Sequence, residues 1–128
     1  MIVIAIVGIL AAILTPVLMR ARFKSYHTAC VQNERNLATA LELYGLENKQ
    51  LYPDDIITLT QGTKPYITEI TDCPSSGTDY QSTYTVGDDN KSYVIECPGF
   101  HEVQLAGTVE DTFPQAIDGQ VYQYNANE

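Results

Sequence analysis

The sequence has no tryptophan, only two histidines and three cysteines, and just seven Lys and Arg against 16 Asp and Glu. Each scarcity narrows the function. The first 24 residues contain no acid and hold three of the bases, Arg20, Arg22 and Lys24, which leaves four bases against 16 acids in residues 25–128. That field repels nucleic acid, so no nucleic-acid partner is expected. The chain also lacks G-x-S-x-G, H-E-x-x-H, a P-loop and G-x-G-x-x-G, and its two histidines lie far apart in sequence, so no catalytic residues, no enzyme activity and no cofactor are expected. Aromatic residues make up 9% of the chain, an ordinary share that sheet and core packing account for without electron conduction.

What is present is a long apolar start. Residues 1–19, MIVIAIVGILAAILTPVLM, are uncharged throughout, and as a helix they reach about 28 Å, close to the roughly 30 Å of a bilayer core. A secretory signal peptide has a shorter apolar region that follows its basic residues, whereas here the bases come after the run. A plain single-pass anchor is the alternative reading. Ala5, Gly8 and Ala12 form a track of small residues that lets helices approach closely, with Ile4, Ile9, Ile13 and Pro16 beside it. Away from lipid, such a helix finds shelter only among copies of itself, so these seven positions are the candidate packing residues of a helical polymer.

The apolar run continues into a second helical stretch in which Phe23, Cys30, Leu37, Tyr44 and Leu51 recur every seven residues, with Ala40 and Leu41 beside the stripe. This predicts one helix from near the start to about Leu51, ended by Pro53 and kinked or melted between Gly8 and Pro16. Residues 54–72 read as a loop with a short helix or turn. Strands are expected at Tyr84-Thr85-Val86 and Ser92 to Cys97, joined by a Gly87-Asp88-Asp89-Asn90 turn, and again at Glu102 to Leu105 and Gln120 to Tyr124. Three or four antiparallel strands need a cover, and the helix stripe is the one long apolar surface available. The expected fold is therefore α+β: residues 1–24 a transmembrane or filament-core helix, and residues 25–128 an acidic head including the second half of the helix.

The stretch MIVIAIVGILAAILTPVLMRARFKSY resembles the N-terminal helix of type IV pilins and of the pseudopilins of type II secretion and competence systems. In that family the mature chain opens with a methylated phenylalanine and Thr-Leu-Ile-Glu-Leu after a short basic leader. These residues would stand just before Met1, and Met1 is accordingly expected to be internal. The resemblance also settles orientation. Taken alone, Arg20, Arg22 and Lys24 would hold the head in the cytoplasm, but a missing leader would carry the cytoplasmic bases and leave the head outside. Tyr52-Pro53, Cys73-Pro74-Ser75-Ser76-Gly77 and Cys97-Pro98-Gly99-Phe100-His101 resemble some pseudopilin heads more loosely. The resemblance implies a subunit held in the inner membrane as a single-pass protein, then polymerised with other copies of itself into an extracellular filament by a separate assembly ATPase. A secretion or competence pseudopilus is the alternative within the fold, and a monomeric membrane-anchored binding module is the alternative outside it.

Three cysteines allow at most one intrachain pair. Cys73 and Cys97 are expected to form it, since each sits beside a proline at a strand edge, with free cysteines as the alternative. Such a bridge over about 25 residues stabilises by roughly 3 to 4 kcal/mol in the chain-entropy picture. Cys30 is expected as a small core residue, because no metal-ligand spacing links it or its fellow cysteines to His27 or His101. Asp88 and Asp89 could bind calcium only with a fuller ligand set than the sequence displays, so no metal is expected and the acids read as a solvated turn. Asn90-Lys91-Ser92 fits a glycosylation sequon.

Overall fold

In the computed structural model, which describes residues 1–105, 109 and 112–124, a single helix carries the whole architecture. This helix, α1, runs from Ile2 to Glu47 without a break. The expected melted segment between Gly8 and Pro16 is absent. Leu10, Ala11, Ala12 and Leu14, between the two residues, favour the helix, and the Thr15 hydroxyl donates to the Ala11 carbonyl at 2.7 Å in the turn that the proline disturbs. From Met1 to Arg22 every residue is exposed.

Packing of the head begins at His27. The buried positions of α1 are His27, Cys30, Val31, Glu34, Leu37, Ala38, Ala40, Leu41 and Gly45, a stripe at three- and four-residue spacing. The expected stripe was right in its centre and too long at both ends. Cys30, Leu37 and Leu41 are core residues, and Tyr44 packs half-buried beside them. Phe23 is only half-buried and lies outside the core cluster. Leu51 is 40% exposed, because α1 stops four residues earlier than its periodicity suggests. Lys49 and Gln50 both take φ of +62°, and Gln50 N–H bonds back to the Gly45 carbonyl at 2.7 Å. The chain reverses there and lays the Tyr52 ring over Gly45, where a Cβ would come within 3.1 Å of it.

After the reversal, the Asp55 carboxylate accepts from Ile57 N–H at 2.9 Å and starts a 3-10 turn, Ile56–Thr60, which buries Ile56 and Leu59. A second such turn, Tyr80–Thr83, buries Tyr80 and leads into the sheet. Four strands follow in chain order as an antiparallel meander: β1 (Tyr84–Val86), β2 (Tyr93–Glu96), β3 (Gln115–Ile117) and β4 (Gln120–Tyr122). Tyr84 stands opposite Ile95, Ile95 opposite Ala116, and Ala116 opposite Val121. Alternation puts Tyr93, Ile95 and Cys97 into the core and leaves Val94 and Glu96 partly exposed. β3 and β4 lie against α1, so the fold is α+β, a sheet laid on the second half of a long helix. The anticipated strand over Glu102 to Leu105 is instead a short helix, α2 (His101–Gln104), in which Gln104 and Leu105 bond back to Phe100 and His101 at 3.1 and 2.8 Å.

Candidate metal centre and exposed apolar stem

Four side chains far apart in sequence meet at the end of the head nearest the stem. Cys30 comes from α1, Cys73 from a tight loop, Cys97 from the residue after β2, and His101 from the first position of α2. The loop is fixed at both ends: Cys73 N–H bonds to the Thr78 carbonyl at 2.9 Å, and Gly77, at φ +70°, bonds back to the Cys73 carbonyl at 2.7 Å. Cys97 N–H is held by the carbonyls of Thr112 and Pro114 at 3.2 and 3.0 Å. The Ser75 hydroxyl donates to Gln104 Oε1 at 3.0 Å and ties the Cys73 loop to α2.

All three cysteines are free thiols and all four side chains are buried. Cys73 and Cys97 meet as expected but are not bonded, with 3.6 Å between their sulfurs. The sulfur nearest to Cys73 belongs to Cys30, at 3.0 Å, and His101 Nε2 lies 3.1 Å from Cys30 Sγ and 3.7 Å from Cys73 Sγ. The four donor atoms lie within 4.8 Å of one another. Cys30 is a core residue as expected and also belongs to this four-membered cluster, in which Cys73 lies nearer to Cys30 than to Cys97. Hydrogen bonds from Cys30 and then Cys97 pull the Cys73 thiol well below the ordinary thiol range. The contact with Cys73 pushes Cys30 up to about 12, and the contacts with Cys30 and Cys73 raise Cys97 as well, so Cys73 is the first sulfur to carry a charge.

The surroundings are dry. Among the described residues, His101 Nδ1 and both carboxyl oxygens of Glu34, one helical turn after Cys30, are buried without a hydrogen-bond partner, and the Tyr80 hydroxyl is buried beside the Cys30 sulfur. Burial first, and then the charge of Cys73, pushes the Glu34 carboxyl up to about 9, which keeps it neutral at neutral pH. His27 closes the outer side. Its ring stands edge-on to His101 at 5.3 Å between centroids and stacks on Tyr124 at 5.7 Å, with Nε2 3.0 Å from the Gln123 carbonyl. The two histidines, distant in sequence, are thus neighbours, although neither bonds the other.

The other expected sites fare differently. Asp88 and Asp89 are exposed, and the Asp89 carboxylate is engaged with its own turn through Lys91, by N–H at 3.2 Å and by Nζ at 3.9 Å. Asn90 takes φ of +55° and spends its amide on internal bonds, donating to the Tyr52 carbonyl at 3.0 Å and to Asp54 Oδ1 at 2.6 Å. A sugar on that nitrogen would disturb these amide bonds, though the backbone bond from Tyr52 N–H to the Asn90 carbonyl at 2.7 Å also joins the hairpin turn to the reversal after α1.

The stem is the second feature. Ile4, Ala5, Gly8, Ile9, Ala12, Ile13 and Pro16 are all exposed, and the helix is long and apolar enough to cross a membrane. At Gly8 an added Cβ would meet nothing within 4 Å. Exposure extends round the whole perimeter, so no face of the stem is claimed by the head. No protein-family model, curated protein or solved structure matches this chain.

Proposed function

We propose that the chain is the structural subunit of an extracellular filament of the type IV pilin kind, anchored in the inner membrane by its stem until assembly machinery draws it into the fibre. One observation carries this reading: the apolar stem is bare on every side while the head buries its own core. Thirteen large apolar side chains between Met1 and Met19 stand 52% exposed or more. At roughly 1.5–3 kcal/mol each, covering them is worth on the order of 20–40 kcal/mol gross, before association costs. Lipid can supply that cover for one chain, and a bundle of stems supplies it for many. The small-residue track at Ala5, Gly8 and Ala12 favours the bundle, since it lets backbones come close where bulky side chains would hold them apart. The acidic head then forms the outer surface. A pseudopilus built from the same fold differs in what the fibre moves.

Gly8→Leu tests the reading. A Cβ at Gly8 meets nothing within 4 Å among the described residues, so the head should melt as in the parent. Electron microscopy of the producing cells should show filaments with the parent and few or none with the variant. Wild-type filament numbers for Gly8→Leu would remove the close-packed stem from the account.

A further inference from the structure

We propose that Cys30, Cys73, Cys97 and His101 form a closed tetrahedral site for a single zinc ion, which clamps the stem helix, the Cys73 loop, the end of β2 and α2 into one unit. Three sulfurs and one imidazole are the donor set that a borderline-soft divalent cation selects over calcium or magnesium. Four protein donors leave no open position, which marks a structural site rather than one for activating water.

The geometry suits the ion. A tetrahedron with Zn–S of about 2.3 Å and Zn–N of about 2.0 Å has S···S edges of about 3.8 Å and S···N edges of about 3.5 Å. Cys73 to Cys97 at 3.6 Å and Cys73 to His101 at 3.7 Å already lie near those edges. The two contacts of Cys30, at 3.0 and 3.1 Å, are short, while all four donors lie within 4.8 Å of one another, so the ion would draw the set into a tetrahedron by side-chain shifts of about 1 Å or less. Ionisation of three thiols gives Zn2+ + 3 RSH → [Zn(RS)3]− + 3 H+, with the imidazole bound as a neutral donor and a single negative charge left on the site. No electrons move, and no oxidant is needed. The neutral carboxyl of Glu34 adds no second charge beside it.

Gly99 supports the same conclusion from the opposite direction. A Cβ at Gly99 would stand 2.6 Å from Cys73 Sγ, 3.0 Å from His101 Nε2 and 3.3 Å from Cys97 Sγ. The backbone of the Cys97-Pro98-Gly99-Phe100-His101 turn therefore wraps directly over the donors, at a spot where no side chain fits. The His101 ring packs edge-on against His27, and its Nδ1 has no hydrogen-bond partner among the described residues. This proposal stands apart from filament assembly, as every donor lies in the head.

The test uses the full chain, purified in detergent without reductant. Elemental analysis should find one zinc per chain, and the intact mass under denaturing conditions should correspond to three reduced cysteines. After removal of zinc with a chelator under reducing conditions, Co2+ should restore the melting temperature and give the intense visible bands of a tetrahedral thiolate complex. Gly99→Ala should lower metal affinity at least tenfold. Since Cys97→Ser could simply unfold the head, His101→Cys provides the second variant: an all-sulfur site should keep the metal and shift the cobalt spectrum. A purified chain with a disulfide and no zinc overturns the proposal, and so does a chain with three reactive thiols that takes up neither Zn2+ nor Co2+.

Discussion

Glu34→Gln should make the head more stable at neutral and alkaline pH and no more stable in acid. The Glu34 side chain is fully buried, neither of its oxygens has a partner among the described residues, and its carboxyl is pushed from 4.5 up to about 9. The folded head therefore holds a proton that the unfolded chain gives up above pH 4.5. Stability is fully present below that pH and falls by about 1.4 kcal/mol per unit until the pH passes about 9. Between pH 4.5 and 7.5 the loss amounts to about 4 kcal/mol. Glutamine has nearly the same shape and cannot ionise, so the variant escapes that slope, while its unpaired amide costs as much as the unpaired acid at every pH. The assay is chemical denaturation of the parent and the variant in detergent, followed by near-ultraviolet dichroism of the head tyrosines, at several pH values from 4.5 to 8.5. Taking the difference between the two chains at each pH cancels the titrations that do not depend on Glu34. The difference should be near zero or slightly unfavourable to the variant at pH 4.5 and should favour it by about 2 to 4 kcal/mol at pH 7.5. A difference that stays flat across this range refutes a neutral buried Glu34.

Two further substitutions probe the frame that holds the site. Leu41→Ala opens a hole where α1 meets the sheet, at a residue with no exposure, and should cost about 2 to 5 kcal/mol by the same denaturation assay. Asn90→Ala removes both amide bonds that link the hairpin turn to Tyr52 and Asp54 and places alanine at a positive φ. It should cost about 1 to 3 kcal/mol, and mass spectrometry of the wild-type protein should find Asn90 without sugar.

The helix and its buried stripe were legible because they follow from local chemistry: an uncharged run, then apolar residues at helical spacing. Periodicity could not place the end, since the stop comes from two left-handed residues, Lys49 and Gln50, and not from Pro53. β3 was missed, yet Asp118-Gly119 is a turn signal of the strongest kind, and both residues do take positive φ, +47° and +85°. The segment from Glu102 to Leu105 looked like a strand by composition and became helical because the Pro98-Gly99 turn aims it back across the donors. The cysteine cluster was illegible for a different reason. Metal-ligand spacings are local patterns, and here Cys30 stands 43 residues from Cys73 and 71 from His101. Only the packing of four elements around one point brings those side chains together. The four-residue step from Cys97 to His101, across Pro98-Gly99, was the one local hint.

The most direct test of the account is a helical reconstruction of filaments sheared from the producing cells. The account predicts a fibre with residues 1–19 of every subunit bundled at its axis and the acidic heads outside, the stems touching at Ala5, Gly8 and Ala12. A chain recovered only as a monomer in the membrane, with no fibre containing it, would contradict the filament and leave the stem as a lipid anchor for a binding head.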